Sequence, residues 1–395
     1  MSDAGKRAAD NKITVGHTIY AFNEGGMERG ILNLINYGDQ QRFRHIIISL
    51  TEAGPFSQLI RASDCRIVEL HKRSGNDWHL PWAIAHAARH YGIDILHARG
   101  WPTLLETAIG ARLAKVSATV YGFHGKTFED LDGVNLRRRW LQKTVIRFYD
   151  RILTLTPRMR DEVARDYSIS RNKIQLIANG VDIRKFCPSK ERRDLRAALG
   201  IPKDRFVIGT VGRLDPVKNQ RMILRAVKKL QPKEATPYVL LVGDGPERNA
   251  LQDEVRQLGL EPHVQFYGYS DRIAELMNCM NLYIQASFYE GFSNTILEAL
   301  ACGVPVLASD VGGTSDLIDS GREGFFFEPE DHDALAALIT RVQTDRVLLR
   351  EMGTHARNRT IGKFSVEKTV DLYERMYMDL HSGYCRNSVF NQRLD

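Results

Sequence analysis

Short apolar runs alternate along the chain with longer segments in which apolar residues recur every three to four positions. A run of four to eight apolar residues is typical of a buried strand, and the three-to-four spacing is typical of an amphipathic helix. In the first half this pattern predicts strands at 13–20, 45–50, 66–70, 94–97, 118–123 and 151–155, and helices at 26–37, 82–91, 103–113 and 136–148. Such alternation indicates a parallel sheet with helices on both faces.

The pattern restarts after a seam at 179–182. Beyond it we predict strands at 206–212, 238–243, 264–267, 281–286 and 304–308, and helices at 219–230, 247–258, 273–277, from about Ser293 to Gly303, and at 366–381. A chain of 395 residues is too long for one ordinary core. We therefore expect two similar α/β domains, at 13–187 and 188–363, with a leader at 1–12, a last helix at 364–382 and a tail at 383–395.

Charge separates the two halves. Residues 1–187 contain 28 Lys and Arg against 19 Asp and Glu, whereas the remainder contains 27 against 29. The basic first half is expected to face something anionic, namely a phosphorylated acceptor, a membrane surface or nucleic acid. No run reaches a membrane-spanning length, the first residues are polar, and the five cysteines form no C-x-x-C pair. A reduced, cytoplasmic setting is expected, with no disulfide framework or zinc site.

The stretch from Ser287 to Pro305 carries two carboxylates around a strand-to-helix turn. Glu290 lies in the predicted loop and Glu298 one turn into the helix, on the same face as Asn294. Free amide N–H groups from about Ser293 to Ile296 make the helix start an anion site. A carboxylate that accepts from paired hydroxyls, beside such amides, suits a nucleotide sugar. The alternative is that both glutamates are solvated surface residues.

Other candidates also follow predicted strands, and ligands bind beyond the carboxyl ends of parallel strands. Arg213 and Lys218 are suited to neutralising a diphosphate, or are simply exposed cations. Gly25 and Gly26 allow a phosphate to approach a helix start. His124 is placed to hydrogen-bond a sugar hydroxyl, or is an ordinary loop histidine, and His97 is a weaker candidate of the same kind.

Three further motifs bear on alternative functions. The segment 243–248 begins like a dinucleotide fingerprint, but Arg248 replaces its third glycine, which disfavours a nicotinamide enzyme. Helix 136–148 carries a basic stripe of Arg139, Lys143 and Arg147, which suits either an anionic membrane or an ordinary solvated face. The D-x-D triplets at 130–132 and 331–333 lie outside any nucleotide-site pattern, and no metal site is predicted.

The chain resembles the retaining glycosyltransferases of family four. The resemblance rests on Glu290 and Glu298 in Glu-Gly-Phe-Ser-Asn-Thr-Ile-Leu-Glu, on Val-Gly-Arg213 with Lys218, and on the segments 179–182, 243–246, 303–306 and 25–28. It covers about 13–377. The resemblance implies two Rossmann-like, doubly wound α/β domains facing a central cleft, the GT-B fold, with the last helix returning to the N-terminal domain.

The resemblance also implies residue roles. The expected catalytic residues are Arg213, Lys218, Glu290 and His124. The expected donor-binding residues are Gly25, Gly26, Gly243, Phe292, Ser293, Asn294, Thr295 and Glu298. Glu298 would hold the ribose hydroxyls, Arg213 and Lys218 the diphosphate, and Glu290 and Phe292 would face the donor sugar.

The expected reaction is metal-free transfer of a hexose-type sugar with retention, through an oxocarbenium-like state and without a covalent nucleophile. A UDP-sugar is favoured over GDP-mannose as the donor, and no other cofactor is expected. The acceptor is expected to be anionic, lipid-linked or polysaccharide, as in cell-envelope or exopolysaccharide synthesis, and bound by the N-terminal domain at the inner membrane surface. Nucleic acid is disfavoured because few aromatics accompany the basic residues. The alternatives are a nucleotide-sugar epimerase of the same fold and a non-catalytic nucleotide-sugar binder.

Overall fold

The chain divides into two compact units, the second of which is inserted into the sequence of the first. The computed structural model describes residues 12–23, 25–75, 77–125, 136–230 and 236–391, with the backbone alone for 136–138 and 384–391. Unit 1 comprises residues 1–180 and 366–395, and unit 2 comprises 181–365. The division after Gly180 falls seven residues before the predicted boundary at 187.

Unit 1 is built on one parallel sheet whose strand order is β3-β2-β1-β4-β5-β6-β7. Its strands are β1 Ile13–Ile19, β2 Phe43–Ser49, β3 Arg66–Glu69, β4 Ile95–Arg99, β5 Ala118–Phe123, β6 Arg151–Thr154 and β7 Ile174–Leu176. Its helices are α1 Gly26–Tyr37, α2 Leu80–Tyr91, α3 Leu104–Ala114, α4 Leu136–Val145, α5 Pro157–Tyr167 and the C-terminal helix Val366–Asn391. The C-terminal helix packs against α1.

Unit 2 repeats the design with the order β10-β9-β8-β11-β12-β13, all pairs parallel. Its strands are β8 Val207–Val211, β9 Tyr238–Val242, β10 Val264–Gly268, β11 Leu282–Gln285, β12 Val306–Ser309 and β13 Gly324–Phe327. Its helices are α6 Arg192–Ala198, α7 Gln220–Lys228, α8 Arg248–Leu258, α9 Ile273–Cys279, α10 Asn294–Ala301, α11 His332–Thr344 and α12 Arg346–Lys363. Two Rossmann-like parallel sheets are therefore present, as predicted.

Strand order reverses direction once in each sheet. In unit 1 the reversal lies between β1 and β4, and in unit 2 it lies between β8 and β11. Loops at the carboxyl ends of two such strands turn away from each other and leave room for a ligand. The predicted site residues follow these strands: Gly25 follows β1, Arg213 follows β8 and Glu290 follows β11.

A buried polar cluster links the centre of the unit 1 sheet to the C-terminal helix. His17 Nε2 lies 3.0 Å from His45 Nδ1, and Arg99 Nη2 lies 3.2 Å from His17 Nδ1. Arg99 Nη1 donates to Tyr373 Oη at 3.1 Å, and His97 Nδ1 lies 2.8 Å from Tyr377 Oη. The imidazoles and the guanidinium are buried, so this cluster places a cation among neutral rings.

Burial, reinforced by the Arg99 charge, lowers the pKa of all four histidines around this cluster. The pKa falls to about 4 for His45 and about 3 for His124, and lies well below its ordinary value for His17 and His97. A low folded pKa means that the unfolded chain takes up protons first as the pH falls. The folded state is therefore favoured above about pH 6.5 and loses stability on acidification toward the folded pKa values.

We predict that unit 1 loses about 2–4 kcal/mol of unfolding free energy between pH 6.5 and 5.5, from four histidines acting in one direction. Burial raises the pKa of Glu28 and Glu106, which opposes part of this loss. All four tryptophans, at positions 78, 82, 101 and 140, lie in unit 1. Urea unfolding followed by tryptophan fluorescence therefore reports this unit.

Two variants distinguish the effect of the buried histidines on stability from other effects of acid on the protein. His45→Gln removes one buried titrating ring and is expected to reduce the change of unfolding free energy with pH by about a quarter. His71→Gln removes an exposed ring and is expected to leave this pH dependence unchanged. If the unfolding free energy of His45→Gln changes with pH as it does in the wild type, the buried histidines do not cause the loss of stability in acid.

Candidate functional site

Lys218 and Glu290 form an ion pair at the carboxyl edge of the unit 2 sheet. Lys218 Nζ lies 2.6 Å from Glu290 Oε2, and their side chains are 31% and 13% exposed. Gln285 Nε2 and Ser287 Oγ donate to the same oxygen at 3.2 and 3.3 Å. The other oxygen, Oε1, makes no hydrogen bond within the part of the chain that the structure describes. Glu290 is thus held by one oxygen and presents the other.

Gln285 and Tyr283 connect the Glu290 loop to the start of α10. They point to the same side of β11 because they are two residues apart. Gln285 Oε1 accepts from Ser293 Oγ, and Tyr283 Oη donates to Thr295 Oγ1 at 2.8 Å. Sequence reasoning missed both residues. The available signal was two hydrogen-bonding side chains in an otherwise apolar strand.

Glu298 is 8% exposed and lies one turn into α10, near the half-buried Asn294. The alternative of an exposed helix residue is therefore excluded for Glu298. Ser293 is the N-cap of α10, and its Oγ accepts from the Ile296 amide at 3.2 Å. The expectation that the Ile296 amide is free is thus wrong, because the cap uses it. Phe292 is half-buried in the loop before the helix.

The Arg213 loop is positioned by close backbone contacts. A Cβ on Gly243 would lie 2.0 Å from the Gly212 carbonyl oxygen, and one on Gly245 would lie 2.3 Å from that of Leu214. Both positions therefore require glycine. The side chain of Arg213 is 72% exposed. Its ion pair with Asp215 is long, with 3.9 Å between Nε and Oδ2. The close contact with the Arg213 loop explains why position 243 is a glycine. The predicted contact of Gly243 with the donor stays a prediction.

Gly312 supports Glu290 from the other side, a role that sequence reasoning did not assign. Its φ is +54°, and a Cβ there would lie 1.9 Å from the Glu290 carbonyl oxygen. The Gly313 amide donates to that same oxygen at 3.1 Å. Together these contacts fix the backbone from which the Glu290 side chain extends.

In unit 1, Gly25 is the N-cap of α1 and Gly26 its first residue. A Cβ on Gly25 would lie 2.3 Å from Glu28 Oε2, so the carboxylate of Glu28 folds back over this glycine. Burial raises the pKa of Glu28. The start of α1 is therefore covered by an anion from the chain itself, and phosphate binding by Gly25 and Gly26 stays a prediction.

His124 follows β5, and its ring lies over Gly122. A Cβ on Gly122 would lie 2.8 Å from Nε2 of His124 and 3.3 Å from Nε2 of His97. Both nitrogens are buried and lack a hydrogen-bond partner within the described residues. With a pKa of about 3, His124 is neutral near pH 7. Its Nε2 faces Gly122, and its expected contact with a sugar stays a prediction.

Both aspartates of the D-x-D triplet at 331–333 have partners within the protein. Asp331 is the N-cap of α11, where it accepts from the Ala334 amide, and Asp333 pairs with Lys229 at 2.7 Å. The triplet at 130–132 lies outside the described residues. Within the residues described, no group of three or more His, Cys, Asp or Glu is arranged to hold a metal ion.

Two family models match the chain, one in each half. Residues 24–185 match Glycosyltransferase Family 4, and residues 191–359 match Glycosyl transferases group 1. The chain is 30% identical over 293 residues to the Escherichia coli UDP-Gal:alpha-D-GlcNAc-diphosphoundecaprenol alpha-1,3-galactosyltransferase, covering 73% of this chain and 76% of that relative. It is 32% identical over 207 residues to the Bacillus anthracis N-acetyl-alpha-D-glucosaminyl L-malate synthase, covering 52% and 54%.

Solved structures show the same fold at lower identity. Anabaena HepE, solved in complex with UDP and glucose, superposes with a TM-score of 0.81 at 22% identity and covers 93% of this chain and 100% of that one. A glycosyltransferase from Rickettsia africae has a TM-score of 0.81 at 21% identity, covering 94% and 99%. Taken with the family matches and the E. coli relative, the two parallel-sheet units identify this chain as a member of the group 1, family 4 glycosyltransferases with the GT-B fold.

Proposed function

We propose that the enzyme transfers a hexose-type sugar from a nucleoside-diphosphate donor bound at the carboxyl edge of the unit 2 sheet. This proposal rests on the half-buried ion pair between Lys218 and Glu290. Oε1 of Glu290 is left to accept a hydrogen bond. Similar proteins support such a donor: the E. coli relative is named for UDP-Gal, and HepE was solved with UDP-glucose.

Each side chain at this edge has a proposed role. Arg213 is exposed and weakly partnered, so it is available to bind the diphosphate together with Lys218. Glu298 accepts from the ribose hydroxyls, and Oε1 of Glu290 accepts from a hydroxyl of the donor sugar. The Asn294 and Thr295 amides lie in the first turn of α10, where the helix favours negative charge.

The proposed reaction proceeds with retention and without a metal. The bond between the anomeric carbon and the diphosphate oxygen breaks, and its electron pair leaves with the diphosphate. The acceptor hydroxyl forms the new bond on the same face, and its proton passes to the departing phosphate oxygen. Arg213 and Lys218 stabilise the negative charge that grows on the leaving group. Glu290 is assigned no covalent role, because its Oε2 is held by three donors and its Oε1 is assigned to a hydroxyl of the donor sugar.

We further propose UDP as the nucleotide, and an anionic, lipid-linked or polysaccharide acceptor bound by unit 1 during envelope or exopolysaccharide synthesis. Unit 1 contains 30 Lys and Arg against 23 Asp and Glu, whereas unit 2 contains 25 of each. This excess of positive charge favours an anionic acceptor on unit 1.

Membrane contact through α4 is also proposed. Trp140 and Phe148 are 69% and 55% exposed, and Arg139 is mostly exposed beside them, which suits an anionic surface. Val145 and Ile146, in contrast, are buried. Among the described residues no helix is long and apolar enough to cross a membrane.

We predict that Lys218→Met lowers turnover by about two orders of magnitude or more, since it removes a charge that stabilises the leaving group. Turnover should be measured with a panel of UDP-, GDP- and ADP-sugars, with and without chelator, and the product anomer determined by NMR. Lys229→Met, which removes an exposed lysine paired with Asp333, should retain wild-type turnover.

Several outcomes of that experiment would contradict the proposal. Near-wild-type turnover of Lys218→Met would remove the assigned role of Lys218. Loss of activity with chelator would contradict metal-free transfer, and an inverted product would contradict retention. Conversion of the donor to its epimer without an acceptor, or donor binding without any turnover, would favour the epimerase or the non-catalytic binder.

We predict that Glu298→Gln weakens donor binding at least about tenfold, since it loses charge-assisted hydrogen bonds. Calorimetry with the best donor of the panel measures this affinity. The matched control is Glu261→Gln, an exposed glutamate of the same unit. If both variants bind the donor like the wild type, Glu298 does not hold the ribose.

We predict that replacing Trp140 and Phe148 together by Ser weakens binding to phosphatidylglycerol vesicles about tenfold, because both side chains lose apolar contact with the lipid. Co-sedimentation with the vesicles measures the binding. The matched control replaces Trp78 and Trp82, which are 70% and 60% exposed on the same unit. Equal loss in both double variants would exclude α4 as the specific contact.

A further inference from the structure

Unit 2 has a large cavity at the amino edge of its sheet. The cavity measures about 840 Å³ and is lined by Phe206, Asn281 and Pro305, which directly precede β8, β11 and β12. The Lys218–Glu290 pair follows the carboxyl ends of β8 and β11, at the opposite edge. The two sites are therefore separated by the length of the strands and use different loops.

Cations dominate the wall of this cavity. Arg192, Lys203, Arg346 and Arg350 line it, and none of them has a hydrogen bond or ion pair from its side chain within the described residues. The single acidic residue of the wall, Asp204, is paired with Arg193. The charge of these four side chains is thus uncompensated by the protein. Burial lowers the pKa of Arg192, as expected for a cation without a partner.

Helical spacing directs these cations to one place. Arg346 and Arg350 are four residues apart on α12, and Arg192 and Arg196 are four apart on α6, so each pair shares a helix face. The two helices therefore present arginine stripes to the same cavity. Such a concentration of positive charge stands out because unit 2 as a whole contains equal numbers of acidic and basic residues.

Three further arginines of the wall hold the scaffold rather than a ligand. Arg196 donates to the carbonyls of Cys279, Lys203 and Arg205, and Arg357 donates to those of Ile183, Phe186 and Ala301. Arg205 donates to the carbonyl of Thr236.

The helix α12 is also seated closely against the loop before β12. A Cβ on Gly353 would lie only 2.6 Å from the Gly303 carbonyl oxygen. The walls that carry the unpaired cations are therefore anchored to the ends of the strands before any ligand arrives. This anchoring fixes the backbone from which the cations extend, so that ligand binding has to order only their side chains.

We propose that this cavity is a binding site for a small anion that carries two or more phosphate groups. Arg192 is half-buried, whereas Lys203, Arg346 and Arg350 are exposed side chains that line the same cavity. A half-buried charge is normally paired, and four like charges without a protein partner around one cavity favour a multivalent anion. The volume is within the range of small-molecule sites and accommodates a nucleotide or a sugar bisphosphate. The proposal is independent of glycosyl transfer and of the donor site.

The test uses inorganic triphosphate as the probe and calorimetry at physiological salt. To remove binding at the donor edge, the background is the full-length chain with Arg213→Ala and Lys218→Ala. Triphosphate is expected to bind this background, and additional Arg346→Ala and Arg350→Ala substitutions are expected to weaken binding about tenfold or more. Both arginines are exposed, so the fold should persist, which thermal unfolding checks.

The matched control removes two other arginines of unit 2, Arg256 and Arg272, which are paired with Asp253 and Glu275 outside the cavity. This control should bind triphosphate as the background does. Equal weakening in both variants would overturn the site, because the effect would be one of net charge. Failure of the background to bind triphosphate would also overturn it.

Two further probes define the ligand class. Sulfate should bind at least about tenfold more weakly than triphosphate, because it meets fewer of the cations at once. Equal affinity would overturn the requirement for several phosphate groups. A single-stranded oligonucleotide that binds more tightly than triphosphate, and loses that binding in the Arg346→Ala, Arg350→Ala variant, would overturn the small-molecule assignment in favour of nucleic acid.

Discussion

One topological constraint determines where this enzyme can place its chemistry. A parallel sheet whose strand order reverses leaves room at the carboxyl ends of the two strands that flank the reversal. In unit 2 these are β8 and β11, and the loops that follow them carry Lys218 and Glu290. The two side chains meet at 2.6 Å although 72 positions separate them in the sequence. Their proximity is thus a consequence of strand order.

Close backbone packing converts this arrangement into a defined geometry. Gly243 and Gly245 support the Arg213 loop, and Gly312 supports Glu290, in each case because a Cβ would collide with a carbonyl oxygen. The network through Gln285 and Tyr283 then links the loop to the start of α10. These contacts explain why glycine is required at 243, 245 and 312, and donor binding by Gly243 stays a prediction.

The alternating pattern predicted much of the fold. Every predicted strand is present within one or two residues, because continuous apolar runs between polar loops are distinctive for buried parallel strands. Helices α5, α6 and α12 were not predicted, since most of their residues are polar and few of them are buried. Helix α11 was not predicted either, and neither were strands β7 and β13, which are only three and four residues long. The C-terminal helix reaches Asn391 rather than 381, a difference at the end of an element where periodicity is least informative.

The candidate site was predictable as a set of residues but not as a set of contacts. Motif spacing identified Arg213, Lys218, Glu290 and Glu298, yet it could not reveal that Glu290 is paired with Lys218 or that Glu28 covers Gly25. Side-chain pairing depends on which loops meet, which only the folded sheet determines. The same limitation hid the amino-edge cavity, whose arginines are distributed over α6 and α12 with no shared motif.

The Lys218–Glu290 pair has a consequence for the proposed donor binding. If the diphosphate binds at Lys218, it competes with Glu290 for the lysine, so that binding replaces one partner of the lysine by another instead of adding a charge pair. Glu290 remains held by Gln285 and Ser287 and keeps a partner when the lysine turns. Because Glu290 stays in the site, the arriving diphosphate would add negative charge that Arg213 and Lys218 together would have to balance. In the proposed mechanism Lys218 responds most strongly at the point where the diphosphate gains charge, which is the transition state rather than the bound donor.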